Sequence, residues 1–168
     1  NLSKLTLPAA KGLEELYSSY NSTLQEFQVS DFPALRILNC AQCRIKELDL
    51  TGSPELETLN CTMNQLTVLN ITGCTKLVSL NCSMNQLTAL DLTGFSAINT
   101  LNCASNKLTQ LDVSKCAELV SLNCSSNQLT VLPVSGLEKL ETLLCIGNQL
   151  TSLQVSDQVT LKKLSATG

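Results

Sequence analysis

The chain repeats one short pattern six times, and this repetition constrains its fold more than any other feature. The shared frame is LxxLNCxxNxLTxLDLTGxxx, and its copies begin at Leu35, Leu56, Leu77, Ile98, Leu119 and Leu140. A fixed period of this length is typical of solenoids, in which each repeat forms one turn and buries its apolar side chains against the next turn. The sequence therefore predicts one continuous coil.

Alternating side chains predict the geometry of each turn. Leu80 and Cys82 fall on one side of an extended segment, whereas Asn81 falls on the other, as in a strand with a period of two. Stacked turns would place these strands in parallel, about 4.8 Å apart, as an inner concave sheet. Leu90 and Leu92 alternate again on the return limb. We expect that limb to be extended, because so short a repeat leaves too little chain for a helix.

The two ends of the chain depart from the frame. Residues 1–34 are predicted to form an atypical first turn that caps the array, with a helix over about residues 8–20. Pro8 suits the first position of a helix, and apolar residues recur behind it at spacings of three to four. Residues 35–160 hold the six repeats, and residues 161–168 resemble the start of a seventh strand without an evident C-terminal cap. The first residue is Asn1 rather than Met, which we expect of a trimmed chain or of a mature form after signal removal.

Most of the nine cysteines fall on one position of the frame. Six of them stand one period apart at an inward position: Cys40, Cys61, Cys82, Cys103, Cys124 and Cys145. This placement favours small apolar side chains in a dry core. A disulfide or a metal site among Cys40, Cys43 and Cys61 is the alternative, but the chain has no histidine to complete a zinc site. We predict no metal and no cofactor.

A column of asparagines follows the strands. Asn64, Asn85, Asn106, Asn127 and Asn148 share one position, and an asparagine there can turn inward and bond backbone groups that the bend leaves unpaired. The first full repeat has Cys43 instead, so this column is expected to begin one turn late.

The outward side chains of the predicted sheet form three uncharged columns. The central column holds Asn39, Asn60, Asn81, Asn102 and Asn123 and then Leu144; its neighbours are Ile37, Thr58, Ser79, Thr100, Ser121 and Thr142 on one side, and Ala41, Thr62, Ser83, Ala104, Ser125 and Ile146 on the other. One interpretation is a protein-docking surface; the other is cross-strand amide ladders that only stabilise the sheet. A glycan site is disfavoured because these columns contain no aromatic side chain. Leu144 and Ile146 form the best candidate contact, near the C-terminal end.

Composition argues against several functional classes. The absence of histidine removes the common nucleophilic triads, and a regular coil offers no cleft where catalytic groups converge, so we predict no enzymatic activity. A net charge of −3 and a pI near 4.9 give no reason to expect a nucleic acid partner. No apolar run is long enough to cross a bilayer. Adjacent acids such as Asp91 and Asp112 could share Ca²⁺, although solvated turn residues are the simpler interpretation.

The repeat pattern LxxLxCxxNxLxxLDLS/T, which has a Cys in its strand, resembles the cysteine-ladder leucine-rich repeats of internalin J-like bacterial surface proteins. The resemblance covers residues 35–160 closely. It implies a leucine-rich-repeat solenoid and a non-catalytic interaction or adhesion module, secreted or at the bacterial cell surface. The alternative is a structural spacer that associates with itself through an open C-terminal end.

Overall fold

The computed structural model of the protein describes residues 1–7, 10–29, 31–156 and 158–166. These residues form a coil of short strands. One sheet contains β2 (Glu15–Tyr17), β4 (Ile37–Asn39), β6 (Thr58–Asn60), β8 (Ser79–Asn81), β9 (Thr100–Asn102), β10 (Ser121–Asn123), β11 (Thr142–Leu144) and β12 (Lys163–Ser165). The return limbs contain β1 (Lys4–Thr6), β3 (Glu26–Gln28), β5 (Glu47–Asp49) and β7 (Val68–Asn70).

The eight-stranded sheet is parallel and in register throughout, as the repeat predicts. Leu38 lies opposite Leu59, and Leu59 lies opposite Leu80, so equivalent residues of successive turns form straight columns. Each middle leucine from β4 to β11 is buried, and the cysteine two residues later is buried beside it. The predicted solenoid with its parallel concave sheet is confirmed.

The return limbs are extended, also as predicted, but their pairing changes along the coil. Strand β1 pairs with β3, and β5 pairs with β7. Beyond Asn70, the described return limbs form no strand ladder. The residue that begins each return limb still donates its backbone amide to the preceding turn, as Gln86 N does to Leu66 O at 2.9 Å. Within the described residues, strand pairing on the return side is thus confined to β1–β3 and β5–β7, and the later turns are joined mainly through the concave sheet.

The helix predicted over about residues 8–20 is wrong. Pro8 and Ala9 lie outside the described residues, and residues 10–20 form a turn followed by β2, in which Leu16 lies opposite Leu38. The apolar spacings that suggested a helix belong to the repeat frame itself. The turn from Leu16 to Leu38 is one residue longer than the turn from Leu38 to Leu59. Leu5 lies on the return limb, opposite Phe27.

The predicted inward asparagines bond the backbone of two turns at once. Asn85 Nδ2 donates to the carbonyls of Cys61 and Cys82, both at 3.0 Å, and its Oδ1 accepts from Leu66 N at 3.0 Å. The column begins earlier than predicted, because Asn21 makes the corresponding bonds to Ser18 O (2.8 Å) and from Leu2 N (3.0 Å). Cys43 interrupts the column, and its thiol donates to Ser18 O at 3.4 Å.

The cysteines are core residues, as predicted. All nine are buried free thiols. Burial raises the pKa of the Cys82 thiol to about 12, and it raises the pKa of Cys61 and Cys103 well above the ordinary thiol value. These groups therefore behave as small apolar side chains at neutral pH.

Candidate functional site

The candidate contact residues lie in the columns that the sequence indicated. The register aligns Ile37, Thr58, Ser79, Thr100, Ser121 and Thr142 in one column and Asn39, Asn60, Asn81, Asn102, Asn123 and Leu144 in the next. Nearly all of these side chains are half-buried, with Thr100 more exposed. The structure therefore brings them together as one continuous uncharged surface.

Each central asparagine uses its side-chain oxygen for a hydrogen bond within its own turn. Asn81 Oδ1 accepts from Ser83 N at 3.2 Å, and Asn102 Oδ1 accepts from Ala104 N at 3.2 Å. This is the local bond by which asparagine closes a turn. Within the part of the chain that the structure describes, none of the five Nδ2 groups has a hydrogen-bond acceptor, so they form no amide ladder. A row of N–H donors consequently remains on the concave face.

Charged side chains lie at the borders of this surface. Glu15 precedes the column of Ile37, and Lys163 ends it. On the rim beside that column, Arg36 pairs with Glu57 at 3.0 Å, and Lys162 pairs with Glu141 at 2.7 Å. The middle of the face therefore carries no charge of its own.

The apolar pair predicted near the C-terminal end is only partly accessible. Ile146 is 41% exposed, whereas Leu144 is half-buried within the sheet. Ile37, at the other end, is also half-buried. Ile146 is thus the most accessible apolar side chain of the three columns from β4 to β11.

Sequence reasoning missed both tyrosines. Tyr17 lies in the central column, opposite Asn39, and is 61% exposed, while Tyr20 lies just beyond the end of the same strand and is 72% exposed. The hydroxyl of Tyr17 donates to Glu15 Oε2 at 3.1 Å, and this bond raises the pKa of the tyrosine. The run LYSSYN at residues 16–21 shares its first Leu and last Asn with LNCTMN at residues 59–64, and this shared pair was the available signal.

The turn acids bond the backbone. Asp91 Oδ1 accepts from Thr93 N at 2.8 Å, and Asp112 Oδ1 accepts from Ser114 N at 2.9 Å. These hydrogen bonds lower the pKa of both carboxyl groups. The described residues contain no cluster of three or more His, Cys, Asp or Glu side chains suited to a metal ion.

Stacked turns of one repeat each, with leucines on a parallel concave sheet and a column of inward asparagines after the strands, define a leucine-rich-repeat fold. The family described as Leucine Rich Repeat matches residues 118–140. The chain is similar to the functional domain of InlJ from Listeria monocytogenes, which includes a cysteine ladder. The two are 31% identical with a TM-score of 0.79, over 95% of this chain and 42% of that one.

Two further solved structures share the fold. An internalin (inlF) from Listeria monocytogenes is 20% identical with a TM-score of 0.77, over 93% of this chain and 48% of that one. YopM from Yersinia enterocolitica is 30% identical with a TM-score of 0.72, over 87% of this chain and 31% of that one. The chain spans less than half the length of each of these proteins. No curated protein matches the sequence, and the described residues include no helix able to cross a membrane.

Proposed function

We propose that the chain is a non-catalytic module of a bacterial secreted or cell-surface protein and that its concave sheet binds a protein partner, as in adhesion. The uncharged concave surface from β4 to β11 is the observation that carries this proposal. It combines unpartnered asparagine amides with serine and threonine hydroxyls, all held in columns by the register.

The physical support is the rigidity of that surface. Its strands are fixed to their neighbours by backbone hydrogen bonds, and each asparagine is oriented by a bond to its own turn. Binding therefore orders little additional chain, which reduces the entropic cost of association. Backbone carbonyls of a polypeptide are suitable acceptors for the amide row. A glycan is less well suited, since no aromatic platform lies within the columns from β4 to β11.

A capture experiment with matched charge variants tests the concave surface. The immobilised chain is exposed to extracts of bacterial and host cells, and bound proteins are identified by mass spectrometry. Asn81→Lys/Asn102→Lys is expected to abolish specific capture, because two unpaired charges would enter the interface. Ala89→Lys/Gln110→Lys is the control, because it adds the same charges to exposed positions of the return limb in the same turns. Equal capture by both variants would contradict binding by the sheet.

A second set of variants locates the contact along the sheet. If the C-terminal end takes part, Leu144→Lys/Ile146→Lys will weaken capture, whereas unchanged capture removes these two residues from the site.

A structural spacer that associates with itself is the second candidate. Leu164 of β12 lies opposite the fully buried Leu143 but is itself 46% exposed, and Val159 is 89% exposed. Another copy could cover these side chains. Light scattering over a concentration series, for the wild-type chain and for Leu164→Lys, tests this idea; a wild-type chain that stays monomeric at every concentration excludes it.

A further inference from the structure

A row of large side chains lines the edge of the concave sheet at which the strands end. Tyr20, Gln42, Met63 and Met84 form this row, which we call the Tyr–Met edge. Each donates its amide to the next turn, as Met63 N does to Ser83 O at 3.0 Å, so the four residues follow one another turn by turn. Tyr20 is 72%, Met63 43% and Met84 49% exposed.

The backbone of the Tyr–Met edge is left-handed. The φ angles of Tyr20, Met63 and Met84 are 61°, 56° and 55°, in a region that glycine or asparagine adopts more readily than tyrosine or methionine. Later turns have Ser105, Ser126 and Gly147 at this position with similar φ angles. Small residues therefore satisfy the turn, and the fold does not require exposed Tyr and Met side chains here.

A second row beside the edge supplies its charge. Arg44, Gln65, Gln86 and Lys107 each follow the inward residue of the turn, and Arg44 and Lys107 are exposed. Lys107 Nζ donates to Gln86 Oε1 at 3.2 Å. In the described structure neither cation forms an ion pair, and neither row contains an acidic residue. Glu14 and Glu15 lie at the start of β2, on the opposite edge of the sheet.

These side chains define the chemistry of the partner. Tyrosine, methionine and arginine are enriched in protein–protein interfaces, and an exposed apolar row beside two unpaired cations is complementary to apolar side chains accompanied by carboxylates. We propose that the Tyr–Met edge binds an acidic, apolar segment of a polypeptide. This inference rests on the proposed function as a protein-binding module and adds a contact site with a partner chemistry.

Peptide selection tests the proposed chemistry. A random-peptide display library is selected on the wild-type chain, and enriched peptides are titrated against variants. Peptides rich in Asp or Glu together with apolar residues are expected. Met63→Ser/Met84→Ser should weaken their binding by roughly tenfold or more, and Arg44→Gln should weaken it less and reduce its salt dependence. All three substitutions introduce residues that other turns already carry at these positions, so the fold should be retained. Val131→Ser, at a return-limb residue that is 66% exposed, is the control.

The two methionines allow the contact to be located directly. Because the chain contains only Met63 and Met84, a spectrum with ¹³C-labelled methionine methyl groups should show two signals, and both should shift when a selected peptide binds. A short peptide of alternating Lys and Leu should leave them unchanged. Enrichment of basic or purely polar peptides, or shifts caused by phosphatidylglycerol vesicles but not by peptides, would overturn the proposal.

Failure of this inference is distinguishable from failure of the proposed function. If selected peptides lose binding with Asn81→Lys/Asn102→Lys but not with Met63→Ser/Met84→Ser, the concave sheet binds protein and the Tyr–Met edge does not. If the selection yields no peptide and neither cell extract yields a captured protein, both proposals fail.

Discussion

Alkaline pH is expected to unfold this protein through its core thiols. Seven of the nine are fully buried, and five of these belong to the column of the concave sheet, namely Cys40, Cys61, Cys82, Cys103 and Cys124. Burial raises the pKa of each, in the case of Cys82 to about 12. In the unfolded chain a thiol ionises with a pKa of about 8.5. The unfolded state therefore releases protons first as the pH rises, and folding stability falls from about pH 8.5 up to the folded-state pKa.

The expected loss is large because five groups act together. Near pH 9 about three quarters of the unfolded thiols are ionised, so the five contribute a slope of about 5 kcal/mol per pH unit. Integrated from pH 7, the loss is about 4 kcal/mol at pH 9 and about 10 kcal/mol at pH 10. Since domains of this size are stable by about 5–15 kcal/mol, the cooperative transition should occur between about pH 9 and pH 10.5.

Urea unfolding followed by circular dichroism at a series of pH values, under reducing conditions, measures this slope. Cys82→Ala/Cys124→Ala removes two of the five groups and should lower the slope near pH 9 by about 2 kcal/mol per pH unit. The change in slope is the test, because the substitutions also lower stability at neutral pH. A wild-type slope below about 1 kcal/mol per pH unit, or equal slopes in both proteins, would refute the reasoning.

Two further predictions concern the asparagines and the sulfur atoms. Asn85→Ala should destabilise the fold by about 2–3 kcal/mol in urea unfolding. It leaves the buried Leu66 N unpaired and removes one of the two asparagine bonds at each of Cys61 O and Cys82 O. Asn81→Ala in the same turn loses only the bonds to Ser83 and should cost about 1 kcal/mol. A similar cost for both would contradict the different roles of the two columns. In the native protein the nine buried cysteines should resist iodoacetamide, while dilute peroxide oxidises Met63 and Met84. Mass spectrometry reads both reactions, and rapid alkylation of a ladder cysteine would show that the core opens.

The sequence predicted the regular part of the fold because each repeat confirms the others. The inward leucines and cysteines, the asparagine column and the concave sheet all depend on a period that six copies share. The first turn was misread because Leu16 and its partner Leu38 are one residue further apart in the chain than Leu38 and Leu59, and this additional residue disrupts the alignment. Tyr17 and Tyr20 were consequently assigned to a helix.

The orientation of the exposed asparagines was also beyond sequence reasoning. Asparagines at a fixed spacing could bond each other across strands as an amide ladder, or each could bond the backbone of its own turn. The sequence is equally compatible with both arrangements. Only the position of Asn81 Oδ1 relative to Ser83 N distinguishes them. The exposure of Met63 and Met84 likewise follows from their left-handed backbone, which the sequence does not show.

The loss of return-limb pairing after Asn70 gives the molecule two mechanical halves. Where β5 pairs with β7, neighbouring turns are joined along two seams, and a force that separates them must break both. In the later turns the concave sheet is the main seam, so the opposite side can spread apart more easily. Tension along the coil acts on all turns equally, so the later turns should separate first, while the earlier turns, which carry Tyr20, Gln42 and Met63 of the Tyr–Met edge, stay closed longer.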